Sequence, residues 1–241
     1  ELHAAEAALN STRKHVVAEC FNSDRVDDVI EMAAIVVGGE EELRKRPIIS
    51  GLTQPISPLQ HGELQTRVLL RFAKRGLPLN IRAHPLAGLS SPVTTAGELL
   101  LTNAENLSSL VIAQLANEKT PVIYGMSTST TDMRRGFNVS GGVEIGLIGA
   151  AFAQLARYYG LPSSLSSGID SPVPDAQAAA ERILTSLPSL AGIDDIWVCA
   201  NDSKYTFSYE QMVIDNEIMG CLGRFLRGIE VSDETLALGL I

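Results

Sequence analysis

The chain alternates short apolar runs with amphipathic helix patterns, and this alternation constrains its fold more than any other feature. Six apolar runs have the length of strands and occupy 15–20, 48–52, 79–84, 121–125, 163–168 and 195–200. Helix patterns lie between and after them at 24–37, 58–75, 94–117, 143–159, 175–187 and 208–227. Near-continuous apolar strands are typical of parallel sheets covered on both faces. Six consecutive βα units therefore predict an α/β fold with a parallel sheet.

Capping residues mark the ends of several predicted helices. Asp24 and Ser57 stand where N-caps are expected, and Pro58 suits a first helical position. Three glycines fall where helices should stop, namely Gly76, Gly160 and Gly228. These signals place the loops between the βα units.

Right-handed crossovers leave a doubly wound sheet or a (β/α)8 barrel as the main topologies. No G-x-G-x-x-G follows any predicted strand, which weakens the interpretation as a nucleotide-binding, doubly wound sheet. We therefore predict a TIM-type barrel, of which this chain supplies about six βα units in a single domain over 1–241. The missing strands would come from sequence outside the chain or from a second copy, and we expect a homo-oligomer.

Composition excludes several classes of protein. Of 241 residues, 45% are hydrophobic and 20% charged, which is typical of a soluble globular protein. No apolar run reaches the length of a membrane span, so no transmembrane segment is predicted. A net charge of -9 without a basic cluster argues against nucleic acid as a binding partner. The three cysteines, Cys20, Cys199 and Cys221, are odd in number and do not have the spacing of metal ligands, which indicates a reducing cytoplasm. Cys199 is expected to be an inert buried thiol.

In a TIM barrel the functional residues lie at the carboxyl ends of the strands. That rule selects a ring rich in hydroxyls and amides, which suits a small polar ligand and not a metal ion. The predicted substrate-binding residues are Glu19, Gln54, His84, Tyr124, Ser127, Trp197 and Asn201. The predicted catalytic residues are Asp170 and Gln177, which follow the fifth strand.

Each residue after the fifth strand also has a structural interpretation. Asp170 is expected either to cap a turn or to face the ligand. Asp175 follows a proline and precedes a helix, so N-capping is its favoured role. Gln177 would then lie in the first turn of that helix.

The remaining candidates have alternatives as well. His84 precedes Pro85, so a structural hydrogen bond competes with a role in substrate binding. Trp197 is either a core residue or an aromatic wall for a cationic ligand. The acids on the last long helix, Glu210, Asp215 and Glu217, are expected to form a solvated or interface face.

Seven stretches resemble the trimethylamine methyltransferase family of corrinoid-dependent methyltransferases. They run in family order and cover nearly the whole chain: RPIISGLTQPISPL (46–59), SPVTTAGELLLTNAENL (91–107), PVIYGMST (121–128), AQLARYYGLPS (153–163), DSPVPDAQA (170–178), SYEQMVIDNEIMG (208–220) and RGIEVSDETLAL (227–238). The resemblance implies a TIM barrel, in agreement with the βα pattern. Members of the family are longer on both sides.

The resemblance also implies an activity and a partner. Family enzymes take a methyl group from a methylamine or quaternary amine and pass it to the Co(I) of a separate corrinoid protein. The cobalamin would thus be carried by that partner, with no cofactor bound by this chain. Trimethylamine enzymes carry a pyrrolysine that aligns near 170–174, where this chain has ordinary residues. The resemblance therefore favours an enzyme without pyrrolysine that acts on a quaternary amine such as glycine betaine.

Two other hypotheses remain open. The first is a non-catalytic relative that binds a small cationic amine or a partner. The second is a different TIM-barrel enzyme, such as an aldolase or lyase. Schiff-base enzymes of that kind place a lysine inside a strand, and no predicted strand contains one, which counts against the second hypothesis.

Overall fold

The computed structural model describes residues 1–198 and 201–240. Its strands are β1 (Val16–Ala18), β2 (Ile49–Thr53), β3 (Leu79–Ala83), β4 (Leu86–Ala87), β5 (Val122–Met126), β6 (Ser129–Asp132), β7 (Phe137–Val139), β8 (Ser163–Ser167) and β9 (Asp195–Val198). Its α-helices are α1 (Leu2–Ser11), α2 (Val26–Val37), α3 (Glu40–Lys45), α4 (Glu63–Lys74), α5 (Thr95–Ala116), α6 (Val143–Tyr159), α7 (Ala176–Ser186), α8 (Tyr209–Leu226) and α9 (Asp233–Leu236).

Six strands form one parallel, curled half-barrel sheet in the order β1-β2-β3-β5-β8-β9. Every pair of neighbours is parallel, and the order follows the order of the chain. A doubly wound sheet would reverse its strand order at a switch point, and no reversal occurs among these strands. The prediction of a parallel α/β sheet is confirmed. Residues 199 and 200 of the sixth predicted strand, and with them Cys199, lie outside the described residues.

Strand residues alternate between the helix layer and the concave face of the sheet, as the pleat requires. The residues directed at the helices form the apolar core: Ile49, Leu79 and Ile81 pack with Phe72 of α4, and Leu165 packs with Phe152 of α6. The alternate residues of β3 and β8 are polar: Asn80, Arg82, Ser164 and Ser166. The concave face therefore carries the polar side chains of these two strands.

A second, small sheet was not predicted. It consists of β4, β6 and β7, with β4 parallel and β7 antiparallel to β6. Because β4 follows β3 and β6 follows β5 within three residues, this sheet lies beyond the carboxyl ends of the large sheet. Its strands are only two to four residues long and lack the apolar runs by which the other strands are recognised.

Two predicted helix starts are wrong. Helix α4 begins at Glu63, because the segment around Ser57 and Pro58 closes into a loop in which Ile56 and Gln60 exchange backbone hydrogen bonds of 2.8 and 2.9 Å. The turn before α2 is capped by the side chain of Asn22 and not by Asp24.

The predicted glycine stops are confirmed. Gly76, Gly160 and Gly228 have φ values of 70°, 66° and 64°, in the left-handed region where glycine is favoured. Within the described residues, none of the helices is long and apolar enough to cross a bilayer.

The expectation of a solvated acidic face on α8 is wrong for one of its three acids. Asp215 is buried and accepts from Arg182 Nε at 2.9 Å, while a second guanidinium nitrogen lies 2.8 Å from its other oxygen. Arg182 also donates to the Ser167 carbonyl at 2.9 Å. This pair joins α7, α8 and the end of β8, whereas Glu210 and Glu217 are exposed.

Candidate functional site

A polar network occupies the concave face of the sheet, centred on Arg82 of β3. The guanidinium of this fully buried arginine donates to Ser166 Oγ at 2.6 Å and to Ser164 Oγ. Its carbon lies 3.6 Å from the ring centroid of Trp197, a distance typical of a cation–π contact. One face of this aromatic ring is thus already covered by a cation of the protein itself.

Further hydrogen bonds extend this network across three strands. Trp197 Nε1 and Ser164 Oγ both donate to Asp195 Oδ2, at 2.7 and 2.8 Å. Ser127 Oγ donates to Ser166 Oγ at 2.8 Å. Two residues predicted to bind substrate, Ser127 and Trp197, therefore belong to one cluster. Arg82 was missed, although a single arginine inside the apolar strand LNIRA was a signal for it.

Gly125 of β5 allows this network to pack. A Cβ on this glycine would lie 2.6 Å from Asn80 Oδ1 and 2.8 Å from the Ile81 carbonyl oxygen, so any side chain would collide. The Asn80 amide is buried, and neither its oxygen nor its nitrogen has a hydrogen-bond partner among the described residues.

A cavity of about 560 Å³ opens beyond the carboxyl ends of β8 and β9, where the β6–β7 hairpin meets the loops that follow them; we call it the edge cavity. Its volume lies within the range of about 300–1,000 Å³ that is typical of small-molecule sites. It is lined by Asp132, Arg135, Phe137, Asn138, Val139, Asp170, Asp202, Ser203 and Tyr205. Three carboxylates and two aromatic rings are a combination that suits an organic cation.

Asp170, a predicted catalytic residue, lies in the wall of the edge cavity and holds it together. Its carboxylate accepts from the backbone N–H groups of Ser140 and Gly141 at 2.7 and 2.9 Å, and from Ser203 Oγ at 2.5 Å. It therefore ties the loop before α6 to the loop after β9. The turn-capping interpretation describes these contacts, and the carboxylate also faces the cavity.

Asp202 provides a carboxylate of a different kind. Among the described residues, no hydrogen bond or ion pair uses its side chain, so both oxygens are available to a ligand. Asp202 and Ser203 have left-handed φ values of 51° and 49°, unfavourable for non-glycine residues. Backbone bonds from Asp202 to Ser171 and from Ser203 to Ile169 hold this conformation. Backbone strain of this kind concentrates at functional sites.

Gln177, the other predicted catalytic residue, lies on the exposed side of α7. Its Nε2 donates to Glu181 Oε1 at 2.7 Å, while Glu181 Oε2 accepts from Asp170 N at 2.7 Å. Gln177 is thus linked to the loop after β8 through Glu181. The predicted N-cap is confirmed, because Asp175 accepts from Ala178 N at 2.8 Å.

Helix α5 contributes buried polar side chains that sequence reasoning missed. Glu105 accepts from Ser57 Oγ at 2.8 Å and from Leu59 N at 2.9 Å, which fixes the loop after β2. Glu98 accepts from Thr128 Oγ after β5, and burial raises the pKa of Glu98 to about 7. The sequence signal for these side chains was a row of polar residues at helical spacing on the buried side of α5.

The other predicted site residues are more scattered. Tyr124 faces the helix layer, stacked on Phe152 with ring centroids 4.4 Å apart, because strand alternation directs it away from the concave face. Its prediction as a substrate contact therefore needs correction. Glu19 is exposed after β1, and Gln54 and His84 are half-buried after β2 and β3.

Asn201 is buried after β9 and lies beside Gln211 in a cavity of about 50 Å³. Neither polar atom of the Asn201 side chain has a hydrogen-bond partner among the described residues. Across residues 1–198 and 201–240, no group of three or more histidine, cysteine or acidic side chains is arranged to hold a metal ion.

Comparison with known proteins identifies the family. The sequence profile described as trimethylamine methyltransferase (MTTB) matches residues 1–241. The chain belongs to this family. It is 40% identical to a trimethylamine methyltransferase of Desulfitobacterium hafniense over all of this chain and 49% of that protein. It is 41% identical to one of Methanosarcina barkeri, over 98% of this chain and 49% of that protein.

A relative with a different printed substrate also matches. The chain is 33% identical to a glycine betaine methyltransferase of Desulfitobacterium hafniense, over 98% of this chain and 50% of that protein. The chain thus spans about half the length of the curated relatives it matches. Both compounds carry three methyl groups on one nitrogen. This nitrogen is a permanent cation in glycine betaine and becomes a cation in trimethylamine when it is protonated.

Proposed function

We propose that the protein is a methyltransferase that moves a methyl group from a quaternary amine or a methylamine to the Co(I) of a corrinoid protein. The observation that carries this proposal is the edge cavity in a chain of the trimethylamine methyltransferase family. Its three carboxylates and two exposed aromatic rings, Phe137 and Tyr205, match the charge and shape of an alkylated ammonium group. The relatives are named for reactions of such amines.

The transfer needs a cationic nitrogen as leaving group. The bond between the methyl carbon and nitrogen breaks, nitrogen keeps the electron pair, and Co(I) supplies the two electrons of the new cobalt–carbon bond. A quaternary amine already carries the positive charge, so it leaves as a neutral tertiary amine without a proton donor. The protein then has to bind, orient and desolvate the cation with one methyl directed outward.

We infer that the substrate is a quaternary amine of the glycine betaine type. Trimethylamine would need an adduct or a proton to become a comparable leaving group. Residues 170–174 are Asp-Ser-Pro-Val-Pro, where the resemblance places the pyrrolysine of trimethylamine enzymes. The carboxylate of Asp170 is instead engaged in holding the cavity wall. This supports an enzyme that works without pyrrolysine.

We also propose that the strands of this chain form part of a closed TIM barrel in the full-length protein. The consecutive order of the six parallel strands supports that topology. In a TIM barrel the carboxyl-end face is the active face, and the edge cavity lies on that side. The corrinoid protein, which carries the cobalamin, would then approach from the same side, because the methyl group passes directly to cobalt.

The test is a spectroscopic methylation assay on the full-length gene product. Co(I) cobalamin is mixed with the protein, and glycine betaine, other quaternary amines and trimethylamine are offered in turn. Formation of methyl-Co(III) with quaternary amines and not with trimethylamine is expected. Methylation with trimethylamine alone would overturn the assignment of substrate.

A second candidate function is binding of a small amine without catalysis. One observation favours this alternative. Asp170, a predicted catalytic residue, already uses its carboxylate in structural hydrogen bonds. The alternative would be supported if the protein binds an amine but transfers no methyl group, either to free cobalamin or to the cognate corrinoid protein.

A further inference from the structure

The β6–β7 hairpin carries two neighbouring arginines, and they differ in their relation to the edge cavity. Both side chains are exposed, but Arg135 lines the cavity and Arg134 does not. A guanidinium among three carboxylates is not needed to bind a simple cation, and its charge opposes such a ligand. It suits a ligand that also carries a negative charge.

The contacts of Arg135 leave its guanidinium available. Its Nε lies 3.9 Å from Asp132 Oδ2, at the outer limit of an ion pair, and 78% of its side chain is exposed. Exposed pairs of this kind contribute little to stability. Asp132 is held mainly by the turn, since its Oδ1 accepts from the backbone N–H groups of Arg134 and Arg135 at 2.9 and 3.3 Å. The Arg135 guanidinium can therefore change partner at low cost.

The rest of the cavity provides the opposite pole. Asp202 has a carboxylate whose oxygens make no hydrogen bond among the described residues, and Phe137 and Tyr205 expose aromatic rings. A carboxylate with aromatic rings suits a quaternary ammonium. An arginine suits a carboxylate, which it binds through two parallel N–H donors.

We propose that Arg135 determines specificity by binding the carboxylate of a zwitterionic substrate, while Asp202 and the aromatic rings hold its quaternary ammonium. This inference rests on the proposed function and deepens it. Arg135 selects betaines over amines that carry only positive charge. It takes no part in bond breaking.

The test is a calorimetric titration of the full-length protein with two ligands that differ in the carboxylate, glycine betaine and tetramethylammonium. Arg135→Gln is expected to weaken glycine betaine binding about tenfold, equivalent to about 1.4 kcal/mol. The same variant should bind tetramethylammonium as well as the wild type or more tightly, because a repelling charge is gone. Arg134→Gln is the matched control and should leave both affinities unchanged.

Two results would overturn the inference: an unchanged affinity of Arg135→Gln for glycine betaine, or an equal loss for both ligands. Thermal unfolding of each variant checks that the protein remains folded. The methylation assay separates this inference from the proposed function. Selective loss of glycine betaine binding in a protein that transfers no methyl group would support the inference and contradict the activity. If Arg135→Gln still transfers methyl groups from glycine betaine as the wild type does, the proposed activity is supported and the inference about Arg135 is contradicted. If the wild type binds neither ligand, the proposed function and the inference are both contradicted.

Discussion

Glu98 is a glutamate in a buried environment, which is unusual for this residue type. It lies in the first turn of α5, is 1% exposed, and accepts a hydrogen bond from Thr128 Oγ. Burial outweighs that hydrogen bond and raises its pKa from 4.5 to about 7. The folded protein therefore holds this proton more tightly than the unfolded chain does.

The pKa of Glu98 predicts how stability depends on pH. Because the folded-state pKa is the higher one, the contribution of this proton is complete below pH 4.5 and is lost as pH rises through about 7. The loss amounts to about 3 kcal/mol in the free energy of unfolding. Glu98→Gln should remove this slope, as measured by urea unfolding at several pH values.

The control for Glu98→Gln is Glu144→Gln, which removes an exposed glutamate from the first turn of α6. It should leave the slope between pH 4.5 and 7 as it is in the wild type. The same slope in Glu98→Gln as in the wild type would show that Glu98 does not titrate in this window.

Gly168, directly after β8, tests the packing of the loops around Asp170. A Cβ on this residue would collide with the carbonyl oxygen and the side chain of Ser140, so Gly168→Ala must push the two loops apart. We expect a loss of about 1–3 kcal/mol in the free energy of unfolding, as for other overpacked sites. Denaturant titration measures it.

Gly220 in the middle of α8 is the matched control, because nothing lies within 4 Å of the position that an added methyl group would occupy. Gly220→Ala should stabilise the protein by about 0.5–1 kcal/mol through the higher helix propensity of alanine. Equal effects of the two alanines would contradict the close contact between Gly168 and Ser140.

At the residue scale, the sequence predicted side chains less well than strands. Ser127 was recognised from its position at a strand end and Trp197 from its position inside the sixth predicted strand, and both lie in the network of Arg82. Tyr124 was misplaced because one residue of strand register decides which face a side chain occupies. The position of Arg82 inside a strand was visible in the sequence, but its partners were not, since they are serines more than 80 residues away.

At the scale of elements, α5 acts as a clamp across neighbouring strands. Asn106 accepts from Ala83 N at the end of β3 at 3.0 Å and donates to the Gly125 carbonyl in β5 at 2.8 Å. Asn106→Ala would remove both side-chain hydrogen bonds to buried backbone groups of the paired strands β3 and β5. We expect a loss of about 2 kcal/mol in the free energy of unfolding, measured by denaturant titration.

A truncation on the outer face of α5 provides the comparison. Leu100 is 70% exposed, so Leu100→Ala should change the free energy of unfolding by less than about 0.5 kcal/mol. Losses of similar size in both variants would mean that α5 stabilises the sheet by general helix packing and not through Asn106.

Elements with strong hydrophobic periodicity were predicted well. The predicted helix at 143–159 coincides with α6, and the strands β2, β3, β5 and β8 begin and end within one residue of their predicted bounds. The small sheet of β4, β6 and β7 was missed because its pairing depends on residues that follow different strands. Helix α4 was predicted five residues too early because local capping signals ignored the bonds from Glu105.

At the scale of the whole molecule, parallel strands in chain order bring their following loops to one side of the sheet. The edge cavity lies on that side and combines residues that are far apart in sequence, such as Asp132, Asp170 and Asp202. The sequence pattern predicted this side of the sheet and selected one residue of the cavity, Asp170, as a catalytic residue. The partnership with Asp202 and Tyr205 depends on tertiary packing that no local pattern contains.

The measurement that tests the central claim most directly compares methyl transfer by the wild type and by Asp202→Asn in the full-length protein, with glycine betaine as donor and Co(I) cobalamin as acceptor. Asp233→Asn, an exposed aspartate at the start of α9, is the control. If the edge cavity binds the quaternary ammonium, Asp202→Asn lowers kcat/KM at least about tenfold, which corresponds to about 1.4 kcal/mol, while the control is unaffected. An unchanged kcat/KM in Asp202→Asn would contradict the assignment of the edge cavity as the amine site.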